Sequence, residues 1–361
     1  MVCPGVGCSI MSISKQLYGQ ERTIYDYKIG YYLSSYYGYA TDTETRWHGA
    51  SGGLLSAFIA FLLDKGYISA AVVSENDLKS PFLNRTILIH KSSELYRTRS
   101  SKYCPVKFNG IIKQVKKEKG KVIIVGLPCI MQGFRKYEML DKDFKSHILG
   151  YIGLYCSCGR TFNLTEYVFK KNKIDKASLS YFQYRDEGCL GSMVAIDKMG
   201  TTKIPFQLYY HPLKSFFIPN RCLFCTDHFA EMADIAFGDI HVGKFKKDTV
   251  GVNSVVIRKS LFDNLLKEAN LAGYVEISPL SKDELINCQI AIRLKKGRVN
   301  GVFAFCRMLG IKLPKYDVTL VPTMRLKSAL YYLFAKFQMF IGKHRYLWPI
   351  ISLFTKKGKI C

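Results

Sequence analysis

Lys121-Val122-Ile123-Ile124-Val125-Gly126-Leu127-Pro128-Cys129 is an unbroken aliphatic run that stops at Gly-Leu-Pro and then presents a thiol. A run of this length with no polar alternation reads as a strand buried on both faces, as in a parallel sheet. A second such run, His147 to Tyr155, leads into Cys156-Ser157-Cys158-Gly159. In a parallel sheet the C-terminal ends of the strands share one edge, where ligand sites gather. Cys129 and Cys156 are therefore expected to face a common crevice.

Working outward, Tyr67 to Val73 and Thr86 to His90 read as further strands. Before them, Leu54, Leu55, Phe58, Ile59 and Leu62 recur at helical spacing, with Ser51 as the expected cap and Gly66 as the stop. Asn163 to Lys173 reads as a helix with Asn163 and Glu166 spaced as a capping pair. Leu179 to Tyr184, Gly191 to Asp197 and Thr202 to Leu208 read as short strands joined by glycine turns, and Leu261 to Ala269 and residues 281 to 297 as helices. Arg293, Lys295 and Lys296 fall at the end of the last of these, and the lysines between 113 and 121 form a solvated face.

The expected fold is α/β: an N-terminal parallel-sheet domain, a second α+β domain and a basic amphipathic C-terminal tail. The expected boundaries are a Tyr- and Ser-rich lead-in over 1–40 with little core, the first domain over 41–150, the second over 151–320 and the tail over 321–361. A hydrophobic fraction of 48% excludes disorder for most of the chain. Residues 1 to 10 carry neither a basic n-region nor an apolar h-region, so the sequence predicts a cytoplasmic, reducing location in which structural disulfides do not persist.

A net charge of +25 attracts anions, nucleic acid or an anionic membrane. Nucleic acid has only charge to support it, since no zinc-finger spacing or RNA-recognition motif is present. The tail is more specific. From Met324 to Cys361 there are eight Lys or Arg and no Asp or Glu, interleaved with Leu330, Phe334, Phe337, Phe340, Leu347, Trp348 and Phe354. That mixture predicts a segment lying on an anionic membrane surface at the inner face, with a helix docked on the protein's own core as the competing reading.

Cys222-Leu223-Phe224-Cys225 supplies two more thiols. Joined to Cys129 and Cys156, the pair makes a set of four thiolates, which suits an iron–sulfur cluster or structural zinc; spacing does not choose between them. Zinc usually takes tight pairs from one small module, so ligands from three separated places lean toward a cluster. Cys158 is an alternative to Cys156, and unrelated buried thiols are the bland alternative. Gly49-Ala50-Ser51-Gly52-Gly53 opens a helix, where an anion such as a cofactor phosphate is favoured, or forms a turn that needs glycine for its own sake. Asp227 and His228 follow the CxxC as polar candidates, with no catalytic role assignable to either.

These motifs, together with Ser101-Lys102-Tyr103-Cys104-Pro105-Val106, Tyr184-Arg185, Ala233-Asp234-Ile235 and Gly238-Asp239, resemble the coenzyme F420 hydrogenase/dehydrogenase beta subunit family over about residues 1 to 310. The resemblance implies an iron–sulfur flavoprotein oxidoreductase. It implies a [4Fe–4S] cluster on Cys129, Cys156, Cys222 and Cys225, and a flavin, FAD rather than FMN, at Gly49, Ser51, Gly52, Gly53, Ser101, Lys102 and Tyr103. It also implies exchange with a deazaflavin such as F420, or with an electron-donor protein such as a ferredoxin. Some bacterial relatives lie in surface polysaccharide gene clusters, so a scaffold or assembly protein of such a pathway is the alternative. Many relatives begin with a ferredoxin-like module, and this chain starts at Cys3-Pro4-Gly5, where that module ends; Cys189 stands where the family often has an aromatic residue.

Overall fold

The computed structural model describes residues 2–355 except Asn109, Lys214 and Pro322. Its centre is an eight-stranded mixed sheet. In chain order the elements that position the site are β1 (Ser34–Ala40), α1 (Leu54–Asp64), β2 (Ala70–Asn76), β3 (Asn84–Ile89), β4 (Val122–Gly126), α2 (Pro128–Glu138), β5 (Ile148–Leu154), α3 (Phe162–Asn172), β6 (Tyr181–Asp186), β7 (Ser192–Asp197), β8 (Gly200–Pro205), β9 (Ile235–Ile240), β10 (Val252–Ile257), α4 (Ser260–Leu271), β11 (Val275–Pro279), α5 (Val299–Met308) and α6 (Arg325–Lys343).

The order across the large sheet is β11-β1-β10-β9-β5-β4-β2-β3. Its middle strands β9, β5, β4 and β2 are parallel, and the flanking pairs are antiparallel. Alternate residues of each central strand enter different cores, which is why their sequences carry no polar alternation. Ile123 and Val125 join Phe58, Leu62, Phe262 and Leu266 under α1 and α4 on one face. Val122 and Ile124 join Met131, Phe134 and Phe144 under α2 on the other. β6, β7 and β8 form a separate antiparallel sheet backed by α3.

Several expectations shift. Ser34–Ala40 belongs to the sheet and not to a lead-in: β1 is hydrogen-bonded on both sides, to β10 and to β11. Its Tyr and Ser side chains disguise it because most are only half-buried. Residue 150, the expected boundary, lies inside β5, and the large sheet draws strands from both sides of it. The change of pattern after it marks the inserted three-stranded sheet.

Thr43–His48 is a short helix capped by Asp42, which accepts from Thr45 N at 2.7 Å. α1 has Gly53 at its N-cap, with φ +68°, and not Ser51, whose hydroxyl donates to Val252 O at 3.1 Å. α3 has Thr161 at its N-cap; Asn163 instead donates to Gly342 O at 3.0 Å, and Glu166 pairs with Lys176 at 2.6 Å. The helix expected over 281–297 is broken into Lys282–Asn287, which ends before Gln289, and a π-helical turn over Arg293–Arg298.

The tail forms α6 and the short helix Trp348–Phe354; Lys356, Lys357 and Lys359 of its basic set lie outside the described residues. α6 docks on the body through Tyr332 and Ala335, against Phe224, Val302 and Phe303. Among the described residues no helix is long and apolar enough to cross a membrane.

Candidate thiol centre and the polar chain beside it

β4 and β5 pair in parallel, with Val125 opposite Ile152 and Gly126 opposite Gly153. Their ends therefore lie side by side. Cys129 follows Pro128, whose fixed φ and missing N–H suit the first turn of α2. Cys156 lies two residues past the end of β5, its N–H donating to His228 O at 3.0 Å. Cys222 and Cys225 come from the 3-10 turn Asn220–Phe224, held under α5 by Leu223 and Phe224.

The thiols of Cys129, Cys222 and Cys225 all lie within electrostatic range of Cys156, so the structure gathers the predicted set at one place. Among the described residues no three His, Cys, Asp or Glu side chains are close enough to grip a single metal ion. Cys158, the alternative, accepts from Arg160 Nη1 at 2.8 Å and lines a cavity beside Cys222.

One buried and one half-buried cation serve this group. Lys295, 3% exposed and carried on the π-turn, hydrogen-bonds Cys225 and faces Cys156 and Cys222. Burial opposes its charge, but the three thiols outweigh burial and hold its pKa above the usual lysine value. Arg221 lies against Cys129, donates through Nη2 to Pro4 O at 3.0 Å and leaves a buried Nε with no partner. Burial pushes the Cys129 and Cys156 thiols up, and Cys222 up to about 11. Neither cation announces itself in the sequence, because each gains its role from cysteines far away along the chain.

A second cluster surrounds the turn after β6. Arg185 donates through Nε to Leu190 O at 2.9 Å, pairs through Nη1 with Asp239, and leaves Nη2 buried without a partner. Ser100 Oγ accepts from Arg185 N at 3.2 Å, and Tyr103 lies within hydrogen-bonding reach of Ser101 and Arg185. Ser51 Oγ reaches the same turn from the other side, 3.8 Å from Cys189 Sγ. The Gly49–Gly53 and Ser101–Tyr103 segments are thus brought to one place.

The glycines there also have a packing reason. A Cβ on Gly52 would come within 2.5 Å of Gly251 O, and one on Gly53 within 2.4 Å of Thr45 O. Lys102 turns its ammonium to the carbonyls of Thr98, Arg99 and Ser100 at 3.1, 2.5 and 3.3 Å, and burial draws its pKa down to about 7. It fixes the loop that carries Ser101 and Tyr103.

A polar chain joins the two clusters. His228 sits between Cys156 O (3.2 Å) and Gln289 Oε1 (3.0 Å), and Gln289 Nε2 donates to Asp239 O at 2.7 Å; Asp239 pairs with Arg185. Burial lowers the His228 pKa to about 4. Asp227 is structural: its carboxylate accepts from Gln132 Nε2 at 3.1 Å and from Glu231 N at 3.1 Å. Gln289 was not legible as part of the site, since an isolated glutamine after a short helix carries no signal.

The family models for the N-terminal and C-terminal parts of the coenzyme F420 hydrogenase/dehydrogenase beta subunit match residues 35–113 and 119–283, respectively. The chain belongs to this family. The coenzyme F420-dependent sulfite reductase of Methanocaldococcus jannaschii is 25% identical over 265 residues, which is 70% of this chain but only 39% of that protein. The coenzyme F420 hydrogenase subunit beta of Methanothermobacter thermautotrophicus is 26% identical over 67% of this chain and 83% of its own length. A chain of the F420-reducing [NiFe] hydrogenase complex from Methanosarcina barkeri, solved as a xenon derivative, shares the fold: TM-score 0.63, 18% identity, covering 81% of this chain and 98% of that one. The named relatives are oxidoreductases or subunits of them, and a redox role in general terms comes with the family.

Proposed function

We propose that this chain is an iron–sulfur flavoprotein oxidoreductase subunit. In this reading Cys129, Cys156, Cys222 and Cys225 hold a [4Fe–4S] cluster, and Gly49, Ser51, Gly52, Gly53, Ser101 and Tyr103 hold a flavin, FAD in preference to FMN. The observation that carries it is the meeting of thiols from three separate segments around the buried Lys295 and the half-buried Arg221. Positive charge there offsets the negative charge that thiolates and a cluster bring into a low-dielectric site. The Nη2 of Arg185, within the second cluster, is a buried donor without a hydrogen-bond partner, which suits an anionic or carbonyl-bearing ring.

Such groups supply single-electron relay and two-electron hydride chemistry, which the side chains alone do not. The protein's own work is to orient and insulate. Arg185 and Tyr103 would fix a ring, Lys102 would brace its loop from behind, and the His228–Gln289–Asp239 chain would hold the two clusters in register. The electron donor would be a separate protein such as a ferredoxin, and F420 is a candidate exchange partner.

The test is anaerobic purification followed by a visible spectrum with iron, acid-labile sulfide, zinc and flavin assays. Iron, sulfide and flavin together are expected, and Cys225→Ser should remove most of the iron signal. Zinc without sulfide would sink the electron-transfer reading, and a protein without flavin would favour a scaffold.

A further inference from the structure

The longest helix of the chain is turned inside out. α6 packs on the body with Ser328, Tyr332, Ala335, Gln338, Ile341 and Gly342, a face in which Tyr332 and Ile341 are the large side chains and the rest are small or polar. On the opposite face Leu326, Leu330, Leu333, Phe337 and Phe340 point to solvent, each more than half exposed. A surface helix ordinarily does the reverse, burying its large apolar stripe and exposing its small and polar residues. At 100° per residue these side chains fall within one narrow arc, with Phe334 at its edge and Phe354 of the next helix resting on Phe334 and Phe337.

Charge borders the stripe. Lys336 and Lys343 run along one edge and Lys327 lies on the other, all exposed, and from Val318 to Cys361 the chain has no acidic residue. Beside the first turn of α6, on the flank that carries Lys327, is an open cavity of about 370 Å³ lined by Arg293, Arg298, Lys327, Thr323, Ser328 and Tyr331. Arg298 lies over the Tyr331 ring at 4.1 Å, so this cavity is walled by fixed positive charge.

We infer that the outer face of α6 is a docking surface for an anionic phospholipid bilayer, lying in the plane of the interface. The leucines and phenylalanines enter the acyl boundary, where such a face sinks about 5–10 Å. Lys327 and Lys343 reach up along their alkyl stems to the phosphates, while Lys336, whose Nζ donates to Asn220 Oδ1 at 3.0 Å, adds positive charge at the edge. The Arg293–Arg298–Lys327 cavity receives a headgroup. Small residues on the inner face let the helix lie close to the body, so the large ones are left for the membrane. A second copy of the chain, equally basic here, would meet this border with like charge. The surface does not depend on the redox reading, because the apolar stripe and its bordering lysines are outside the thiol and Arg185 clusters; only Arg298 and Tyr331 also line the cavity beside Cys158 and Cys222.

The test uses the full chain and vesicle flotation. Wild type should float with vesicles of phosphatidylcholine and phosphatidylglycerol and stay unbound with phosphatidylcholine alone. Leu333→Asp/Phe337→Asp should lower the bound fraction at least tenfold, and Lys327→Glu/Lys336→Glu about tenfold. Both pairs are exposed, so the circular dichroism spectrum and thermal midpoint should match wild type. Wild type that ignores anionic vesicles, or an Asp variant that floats equally well, overturns the inference. So does a wild-type dimer in sedimentation that the Asp variant abolishes while neither floats.

Discussion

Replacing Lys295 by Met removes one positive charge from the thiol centre while keeping the volume of the side chain. In the folded protein that ammonium is 3% exposed and hydrogen-bonded to Cys225. A unit charge about 4 Å from a thiolate interacts by about 4 kcal/mol at an effective dielectric of about 20. If these cysteines hold the proposed cluster, an added electron would be spread over a body wider than one sulfur, so roughly half of that, ~2 kcal/mol, would bear on the reduction step. For a one-electron couple this is on the order of 80 mV toward lower potential. The assay is a redox titration followed by electron paramagnetic resonance, with iron content measured on the same samples. Lys295→Arg should restore most of the shift. A Met variant with full iron and an unchanged potential would refute the reasoning.

Other outcomes follow from buried charge and tight packing. Lys296 lies next along the π-turn and pairs with Glu231 at 2.5 Å, the two side chains 2% and 4% exposed. Lys296→Met should cost about 3–5 kcal/mol in urea unfolding, and adding Glu231→Gln should recover most of it, because the penalty is the stranded charge. Asp234 accepts from Arg135 Nη2 at 2.6 Å and from Tyr151 N at 2.8 Å. Burial pushes the Asp234 pKa up, but Arg135, Lys259 and the Tyr151 N–H outweigh it and hold the carboxyl below its usual value. The unfolded chain then binds this proton first, so stability present above the unfolded carboxylate range is lost as pH falls through the folded pKa. Asp234→Asn should flatten that acid limb and cost about 3 kcal/mol at neutral pH. Gly342→Ala would set a Cβ 1.9 Å from Phe216 O, so it should lower stability by about 1–3 kcal/mol and loosen the end of α6, read by hydrogen exchange.

The parallel core could be read because Val122–Gly126 and Ile148–Leu154 are buried on both faces and need no alternation. The thiols could be placed at one edge because both runs end in cysteine. β1 hid for the opposite reason: its partners, Val252–Ile257 and Val275–Pro279, are more than 200 residues away, and its half-exposed tyrosines give no apolar run. Lys295 and Lys296 looked like the charged end of a solvent-facing helix. Burial of a lysine is decided by a distant carboxylate or thiol, and local sequence does not contain that partner. α6 was read for its composition, yet composition could not say which face would dock. Gly342 against Phe216 O and Ser328 against Gly301 decide that, and both contacts are tertiary.

The position of β1 sets the timetable of folding. Made within the first forty residues, it cannot acquire its neighbours until Val275–Pro279 has been synthesised. Met11 and Ser12, early in the chain, wait longer still, since their N–H groups are held by Asp317 at 2.9 Å. During synthesis Ser34–Ala40 is an unpaired strand with both edges open, the kind of segment that seeks pairing with another chain. A nascent chain truncated near residue 240, before either partner strand is made, should therefore collect in aggregates or on chaperones, where one extended past about residue 320 folds late through contacts of long sequence separation.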